Sequence, residues 1–320
     1  MDFCKKCVIP SNKEFESKVP KDTLPFHKEL NLCDACYQLT KDEYFEEYFS
    51  DNNIFKKEFE EFLKSHKKII FAYSGGLDST VALHELNKQC TEKGIDLFCF
   101  CIDFGFKGNK TLKNIEKVVE FEKLKNFELI NICSDITKNN ISIFESYKDS
   151  VIQNTLPCGK KCNSILDSYY KSILDSFEET HLMTGGDTPK LNAALGRYSI
   201  YWVKPQFTVV RGGPSFGLNK NFNQNYVEEH NIPWEHPHCG GYDTDCLLPG
   251  AIFKNLAKEV CKCSKDLITQ FPIVLDYLSE RVRWNIIEKE DAIEKLSRLE
   301  ISDEYSYAEV MKLIKDKNDN

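Results

Sequence analysis

Residues 74–79, in the order Ser-Gly-Gly-Leu-Asp-Ser, combine the groups that can hold a phosphate. Two adjacent glycines let a backbone approach a ligand closely. Free backbone N–H groups at a helix start, and the positive end of the helix dipole, favour a bound anion such as phosphate. Ser74, Ser79 and Thr80 add hydroxyl donors, and Asp78 could orient a magnesium ion or pyrophosphate. The stretch is therefore a candidate nucleotide site.

The residues on either side predict which elements position this loop. Ile69 to Tyr73 form an apolar run typical of a buried strand, and apolar residues between Val81 and Leu86 recur at helical spacing. The loop therefore joins a strand to a helix. A Walker A loop ends in Gly-Lys-Ser/Thr, whereas no lysine follows Gly76, which argues against a P-loop kinase or GTPase. The alternative is an ordinary strand-to-helix turn capped by Ser79.

The six-residue stretch resembles the SGGxDS signature of the PP-loop ATP pyrophosphatases. The resemblance implies an enzyme that uses ATP to adenylate an oxygen, releases pyrophosphate and lets a nucleophile displace AMP. It also implies ATP contacts at two later strand ends, in "CIDFGFKGN" from Cys101 and "MTGGDTP" from Met183. Asp78 is assigned a catalytic role. The implied ATP-binding residues are Ser74, Gly75, Gly76, Leu77, Asp78, Ser79, Thr80, Ile102, Asp103 and Gly185.

Cys4, Cys7, Cys33 and Cys36 form two Cys-x2-Cys pairs near the start of the chain. Four thiolates in two such pairs suit tetrahedral zinc, and the segment between them has too few apolar residues to fold unaided. We therefore predict a zinc ribbon, with unrelated thiols or an iron–sulfur cluster as alternatives. The pattern "CKKCVIP…CDAC" also resembles the opening of the N-acetyl sugar amidotransferases, PP-loop proteins that use ammonia.

Cys158 and Cys162, in "TLPCGKKCNSILDSYY", stand just before and within the first turn of a predicted helix. The helix dipole and two neighbouring lysines favour the thiolate form, so reactive or ligating sulfur is expected. The placement resembles the tRNA 2-thiouridine and 2-thiocytidine synthetases, whose iron–sulfur members bind a 4Fe–4S cluster. That resemblance implies that Cys158 and Cys162 are catalytic and hold a cluster together with Cys239 or Cys246. The Cys-x3-Cys spacing departs from the Cys-x2-Cys of that family, and two core cysteines are the alternative.

The composition of the 320 residues, 41% hydrophobic and 29% charged, is typical of a soluble globular protein. No apolar run reaches the length of a membrane span, and the first residues lack the apolar core of a signal peptide, so we expect a cytoplasmic protein. Fourteen cysteines in a cytosolic chain indicate metal or sulfur chemistry. A net charge of −8 gives no overall attraction to a polyanion.

Strand and helix patterns alternate after the glycine loop, which predicts an α/β fold with a doubly wound parallel sheet. Ligands of such sheets bind at the carboxyl ends of the strands. The predicted elements are strands over 69–73, 97–102, 128–133 and 181–184, and helices over 111–124 and 163–177. The predicted domains are a zinc ribbon (1–40), a helical connector (41–66), a PP-loop ATP-binding α/β domain (67–210), a cysteine-containing active-site loop (211–250) and a C-terminal helical region (251–320).

The glycine turn and the cysteine pattern, with the resemblances they carry, predict an ATP-dependent sulfurtransferase that replaces an adenylated carbonyl oxygen with sulfur. The resemblance to the tRNA thiolation enzymes implies that the acceptor is a tRNA base. The expected cofactors are ATP, Mg²⁺, Zn²⁺ and a 4Fe–4S cluster. The expected partners are a tRNA or small-molecule acceptor, a sulfur donor and a second copy of the chain, with no membrane. One alternative is an amidotransferase-like ligase that acts on a sugar, and another is a binding module without catalysis. One face could contact tRNA phosphates, with an ordinary solvated helix face as the alternative; its cations are Lys107, Lys110, Lys113, Lys117, Lys160, Lys161 and Arg211.

Overall fold

A computed structural model of the chain describes residues 3–11, 24–51, 53–105, 107–132, 163–217, 220–236, 272–297 and 312. The helices among them are α1 (Asp34–Lys41), α2 (Phe45–Tyr48), α3 (Ile54–Ser65), α4 (Leu77–Lys93), α5 (Asn109–Phe121), α6 (Asn163–Ser176), α7 (Gly212–Phe216), α8 (Lys220–Glu229), α9 (Pro272–Arg283) and α10 (Lys289–Ser297). The strands are β1 (Lys68–Ala72), β2 (Asp96–Asp103), β3 (Phe127–Asn131), β4 (His181–Thr184), β5 (Lys190–Asn192), β6 (Arg197–Ser199), β7 (Tyr201–Val203) and β8 (Thr208–Arg211).

Six strands form one sheet in the order β3-β2-β1-β4-β8-β7. The first five run parallel to one another, and the edge strand β7 is antiparallel to β8. The centre of β1, Ile69 to Phe71, is almost completely buried, as expected for a parallel strand covered by helices on both faces. The predicted α/β class and the mostly parallel sheet are therefore confirmed. β5 and β6 form a separate two-stranded sheet.

The predicted strands and helices around the sheet are found within a few residues of their expected bounds. β4 spans the predicted His181–Thr184, and α6 begins at the predicted Asn163. α4 ends where Gly94 takes a left-handed φ of +66°, a conformation that favours glycine after a helix. The elements that lead to the glycine turn could therefore be predicted from hydrophobic periodicity.

The interval 211–250 differs from the predicted loop, because α7 and α8 lie within it. Its glycines meet a need for close packing rather than for flexibility. A Cβ on Gly212 would lie 2.9 Å from Thr184 O, and one on Gly213 would lie 2.6 Å from the Cα of Asp187. α8 buries Tyr226 on a helix that is otherwise rich in polar residues, which hides its periodicity. Residues 237–250 lie outside the described part of the chain.

An aromatic cluster joins the helices before the sheet to the segment after α9. The Trp284 ring centroid lies 5.7 Å from that of Tyr48, 6.0 Å from that of Phe55 and 4.9 Å from that of Tyr198. Trp284 directly follows α9, so the carboxyl end of this helix is fixed against α2, α3 and the β5–β6 sheet. The helices described include none with the length and apolar character of a membrane span.

Candidate functional site

The turn between β1 and α4 is held in shape by its own hydroxyl groups. Ser74 Oγ and Ser79 Oγ lie 2.8 Å apart, and Ser74 Oγ accepts a hydrogen bond from the Gly76 backbone N–H at 3.3 Å. Gly75 has a φ of +89°, in the region that favours glycine, and its carbonyl accepts a hydrogen bond from Trp234 Nε1 at 3.0 Å. The turn is therefore preformed rather than left for a ligand to order.

The N-cap of α4 is Gly76, whose lack of a side chain leaves the first-turn N–H groups without a side-chain cap. Such groups carry the partial positive charge of the helix and favour an anion. α4 has 17 residues, so it is a full-length helix with a well-developed dipole. The start of α4 is therefore a place where a phosphate group is stabilised by the backbone.

A second glycine turn follows β4 and packs directly on the first turn. A Cβ on Gly185 would lie 2.3 Å from Ser79 Cα, and one on Gly186 would lie 2.4 Å from the guanidinium carbon of Arg211. Both distances are shorter than real Cβ contacts. At Gly185 the neighbour is backbone, so only glycine fits there, whereas a side chain at Gly186 would have to displace the Arg211 guanidinium. Ser79 lies on α4, which follows β1, and Arg211 ends β8; these two strands flank β4, so the two turns form one wall.

The two glycine turns open onto a cavity of about 510 Å³. This volume is within the range of small-molecule and cofactor sites. The cavity lies at the carboxyl ends of β1, β4 and β8, the edge at which open α/β sheets bind ligands. Its lining residues are Ala72, Ser74, Gly76, Leu77, Asp78, Ser79, Tyr170, Thr184, Gly185, Gly186, Asp187, Arg211, Gln224, Trp234, His236 and Arg281.

Two arginines meet one carboxylate in this lining. Arg281 contacts Asp187 Oδ2 at 2.6 Å, and Arg211 lies 3.9 Å from Asp187 Oδ1. Arg211 is further held by its Nε, which donates to Thr188 O at 2.9 Å. Burial lowers the pKa of Arg211, while Asp187 acts in the opposite direction. Because the carboxylate fixes both guanidiniums, they are preorganised to face an anionic ligand.

Asp78 supplies the second carboxylate of the lining, and its Oδ1 accepts a hydrogen bond from Asn223 Nδ2 at 2.7 Å. Among the described lining residues, two aspartates balance two arginines. A bound polyphosphate therefore adds negative charge that these residues do not neutralise, and a divalent cation would offset it. Carboxylate oxygen is the ligand that Mg²⁺ prefers, so Asp78 fits such an ion.

The lining includes six of the residues predicted to bind ATP: Ser74, Gly76, Leu77, Asp78, Ser79 and Gly185. Four others lie beside the cavity rather than in its wall, namely Gly75, Thr80, Ile102 and Asp103. Thr80 Oγ1 donates to Gly76 O at 2.9 Å, which gives it a supporting role. Asp103 is buried and accepts a hydrogen bond from Gly105 N at 2.8 Å. The assignment of all ten to ATP remains a prediction.

Two cations of the predicted tRNA face belong to the site instead. Lys107 is 8% exposed, and its Nζ donates to Ser74 O at 2.7 Å, so it closes the glycine turn from outside. Arg211 is partly buried and lines the cavity beside the second glycine turn. A charged residue in a polar stretch gives no signal of such burial, because its partners are distant in sequence.

Seven cysteines lie in the described part of the chain and fall into two groups. Cys158, Cys162, Cys239 and Cys246, predicted to act in catalysis or to bind an iron–sulfur cluster, lie outside the described residues. Cys90, Cys99 and Cys101 form one group and are buried in the core. Burial raises the pKa of Cys90 to about 12 and also raises that of Cys99, so these two thiols hold little thiolate at neutral pH.

The remaining group, Cys4, Cys7, Cys33 and Cys36, forms a metal-binding centre. All four residues are buried, and their sulfur atoms lie within 4.8 Å of one another. Cys7 Sγ and Cys33 Sγ are 3.6 Å apart, and the Cys33 backbone N–H donates to Cys4 Sγ at 3.3 Å. Sulfur atoms at the corners of a tetrahedron, each about 2.3 Å from a central ion, would be roughly 3.8 Å apart. The spacing therefore suits a single ion.

Two cations from the carboxyl-terminal segment contact this centre. The Arg283 guanidinium lies within electrostatic reach of Cys36, Cys7 and Cys33. Lys289 Nζ donates to Cys4 O at 2.7 Å. Sequence reasoning missed both residues, since neither belongs to a motif and both are more than two hundred residues from the cysteines.

Comparisons with known proteins agree with this geometry. Residues 51–146 match the family model of a PP-loop domain. The uncharacterized protein MJ1599 of Methanocaldococcus jannaschii is 22% identical over 255 residues, which cover 78% of this chain and 81% of MJ1599. Argininosuccinate synthases of Mesorhizobium japonicum and Staphylococcus carnosus are 25% and 26% identical over 53% and 58% of this chain. The chain spans less than half of the length of each synthase, 41% and 44% respectively.

One solved structure that resembles the chain is the U34-tRNA thiolase NcsA from Methanococcus maripaludis with its [4Fe-4S] cluster. The two are 15% identical, the match covers 98% of this chain and 96% of the other, and the TM-score is 0.42. A likeness of this size carries no argument about function. The family match, in contrast, coincides with the preformed glycine turn, its helix start and the cavity above them. Residues 51–146 are therefore similar in sequence to a PP-loop domain, and they carry the first glycine turn and α4.

Proposed function

We propose that this protein is an ATP-dependent sulfurtransferase, which adenylates a carbonyl oxygen of its acceptor and replaces that oxygen with sulfur. The observation that carries the proposal is the cavity, in which two glycine turns, a helix start and Asp78 converge at one sheet edge. Such a site can hold a triphosphate and stabilise the charge that develops as pyrophosphate leaves. The cysteine-rich stretches that adjoin it in sequence supply the sulfur chemistry.

The activation step uses residues of the cavity. The acceptor oxygen attacks the α-phosphorus of ATP, and the bond from that phosphorus to the bridging oxygen of the β-phosphate breaks. Pyrophosphate leaves with the electron pair and is held by the N–H groups at the start of α4. Asp78 would hold Mg²⁺ against the phosphates, and Arg211 and Arg281 would face the remaining phosphate charge. The acceptor is then an adenylate, in which AMP is the leaving group.

Two of the candidate sulfur residues adjoin residues of this cavity in sequence. Cys239 follows the lining residue His236 by three positions. Cys162 directly precedes α6, whose Tyr170 lines the cavity. This closeness in sequence supports a role for both cysteines as sulfur donors to the adenylate.

We further propose that Cys158, Cys162 and either Cys239 or Cys246 hold a 4Fe–4S cluster, and that the acceptor is a tRNA base. Three thiolate ligands would leave one iron free to bind the sulfide that is transferred. Without a cluster, the sulfur donor in the same proposal is a persulfide on Cys158 or Cys162. The tRNA assignment rests on the resemblance of these cysteines to tRNA thiolation enzymes, and a small-molecule acceptor is the alternative.

For the four buried thiols near the start of the chain, we propose zinc as the metal. The 3.6 Å spacing of Cys7 and Cys33 suits the edge of a zinc tetrathiolate, whereas an iron–sulfur cluster needs its ligands farther apart. All four positions are filled by protein sulfur, as in structural zinc sites. The role of this metal would be to fold and dock the N-terminal segment.

An amidotransferase-like ligase is the second candidate, because it would use the same adenylation and differ only in its nucleophile. Two curated relatives are named argininosuccinate synthases rather than sulfurtransferases. The cysteine pattern at the start of the chain also resembles sugar amidotransferases. In this reading ammonia attacks the adenylate, and Cys158 and Cys162 are structural.

The test compares anaerobically purified wild-type protein with the variants Asp78→Asn and Cys158→Ala. We expect brown wild-type protein with bound iron and sulfide, and pyrophosphate release from ATP that depends on added tRNA. D78N should slow that release by about 100-fold while iron and zinc are kept. C158A should lose the colour and the thiolated product but still bind ATP. Cys90→Ala, in the core, is the matched control and should keep both the colour and the thiolated product.

Two results would contradict the proposal in different ways. AMP formation by D78N at the wild-type rate would show that the glycine turn is not the site of activation. Colourless, iron-free wild-type protein that transfers nitrogen to a sugar would replace the sulfurtransferase with the amidotransferase. Colourless protein with a persulfide on Cys158 or Cys162 would keep sulfur transfer and remove only the cluster.

A further inference from the structure

The carboxyl end of α9 lies between the metal-binding centre and the nucleotide cavity. Arg281 contacts Asp187 in the cavity wall at 2.6 Å, whereas Arg283 lies within electrostatic reach of Cys36 of the metal centre. Residues two positions apart on an α-helix point in directions that differ by about 200°. One turn of α9 therefore has the cavity on one side and the four cysteines on the other.

On the metal side, the charge of Arg283 matches the charge of the centre. Four thiolates around a divalent ion carry a net charge of −2, which is costly to bury without a nearby cation. Arg283 lies within electrostatic reach of Cys36, Cys7 and Cys33. Its Nε and Nη2 are buried and have no hydrogen-bond partner among the described residues, so attraction to the thiolate charge is what would hold the guanidinium. An occupied centre therefore holds Arg283 more firmly than an empty one.

On the cavity side, little room exists for Arg281 to move alone. Arg281 contacts the carboxylate of Asp187, and the backbone of Asp187 packs closely on Gly213. A Cβ built on Gly213 would lie only 2.6 Å from the Asp187 Cα. The preceding residue of α9, Glu280, pairs with Lys190 at 2.6 Å, beside the same turn. Trp284 fixes the end of the helix in the aromatic cluster described above. We therefore expect a shift of Arg283 to move Arg281 and, through their contact, Asp187.

We propose that the metal centre controls nucleotide affinity through this turn of α9, with Arg283 as the positioning residue that links the two sites. The proposal rests on the assignment of the cavity to ATP. By thermodynamic linkage, the factor by which bound metal tightens ATP binding equals the factor by which ATP tightens metal binding. The metal thus has a role in regulating the site as well as in folding the segment that holds it.

The first experiment measures the Kd of a non-hydrolysable ATP analogue for metal-loaded full-length protein. Arg283→Met should weaken binding about fivefold or more, with the zinc content unchanged, and Arg283→Lys should restore part of the loss because it returns the charge. Lys289→Met is the matched control: it also removes a contact to the metal segment but lies on α10, so the analogue should bind as in wild type. An equal loss in K289M would indicate general loosening and overturn the proposal.

A double-mutant cycle separates a coupled pair from two independent sites. Arg281→Gln alone should weaken analogue binding, and the double variant R281Q/R283M should be no weaker than R281Q, because the link is already cut. Additive losses would overturn the proposal. In wild-type protein loaded with cobalt, the analogue should change the visible thiolate–cobalt bands, and R281Q should abolish that change.

The reciprocal measurement decides the case in which R283M does not keep its metal. Chelator competition on wild-type protein should show that the analogue raises metal affinity by the same factor by which removal of the metal from wild-type protein weakens analogue binding. Equal metal affinities with and without analogue would overturn the proposal. Failure of the proposed function has a different signature. Wild-type protein that binds no ATP analogue contradicts the nucleotide site itself, whereas binding that ignores the metal and Arg283 contradicts only the link.

Discussion

At the scale of single residues, contact between the two glycine turns depends on the absence of a side chain at Gly185. A Cβ there would lie 2.3 Å from the Cα of Ser79, which is backbone and has no rotamer to change. The two turns would have to separate by more than an ångström. Because both turns line the cavity, a side chain at position 185 would disturb the contact between the turns and the shape of the site together.

Gly185→Ala should therefore destabilise the protein and impair its nucleotide site together. We expect a loss of about 1–3 kcal/mol in the free energy of unfolding, as for overpacked positions, and analogue binding that is weaker by about tenfold. Urea denaturation and equilibrium titration measure the two effects.

Gly196→Ala is the control for this substitution. Gly196 has a φ of +64° but no atom within 4 Å of its Cβ position, so only backbone strain of about 1 kcal/mol is expected. Analogue binding should be unchanged in G196A. Unaltered binding in Gly185→Ala would mean that the second glycine turn does not shape the site.

Residue-level prediction from sequence worked where a motif carries its own geometry. Asp78 and Gly185 belong to glycine turns, whose local backbone requirements are visible in the residue types. Asn223 and Trp234 could not be found in this way, because they contact the first turn from 145 and 159 residues away. Such contacts depend on the tertiary structure, which brings distant segments to the same edge of the sheet and cannot be read from the local residue pattern.

At the scale of elements, α3 positions the β5–β6 sheet and the strand that follows it through one carboxylate. Glu58 accepts hydrogen bonds from Ser199 Oγ and Ile200 N at 3.0 Å and pairs with Arg197 at 2.7 Å. Its side chain is only 10% exposed. A buried carboxylate with three partners is costly to disturb, because each partner would lose an acceptor.

Glu58→Gln should lower the free energy of unfolding by about 1–3 kcal/mol, since the amide loses the charge that Arg197 needs and one of its acceptor positions. Urea denaturation with a two-state fit gives the value. Glu61→Gln is the matched control on the same helix. Glu61 pairs with Lys64 in solvent, so no measurable change is expected. Equal stability of E58Q and wild type would contradict the anchoring role of Glu58.

The elements themselves were largely predictable, and the exceptions have a common cause. β1, α4 and β4 bury regular apolar faces, which periodicity detects. α8 is different, because its buried side includes Asn223 and its glycine-rich surroundings are typical of loops. A helix that uses polar residues to reach a site loses the apolar stripe by which it would be recognised.

At the scale of the whole molecule, the metal centre is continuous with the main core. Cys4, Cys7, Cys33 and Cys36 belong to the same buried cluster as the residues of β1 and α4. α9 and α10 contact both parts. The N-terminal segment is therefore not an independent appendage, and its folding energy is shared with the rest of the chain.

Removal of the metal should accordingly destabilise more than the N-terminal segment. We expect Cys33→Ser to lose its zinc and to lower Tm by about 10 °C or more, because metal binding supplies folding energy to a shared core. Metal analysis and calorimetry measure both. A variant that lacks all four cysteines and still binds one zinc would place the metal elsewhere. An unchanged Tm in metal-free C33S would contradict the shared core.

The hydrogen bond from Lys289 to the Cys4 carbonyl joins residues separated by 285 positions. Ribosomes add about 5–20 residues per second, so Cys4 emerges roughly 15–60 s before Lys289 is made. During that interval the four thiols have neither Arg283 nor Lys289 beside them. The contacts of Arg283 and Lys289 with the metal centre can therefore form only late in synthesis, well after its four cysteines have been made.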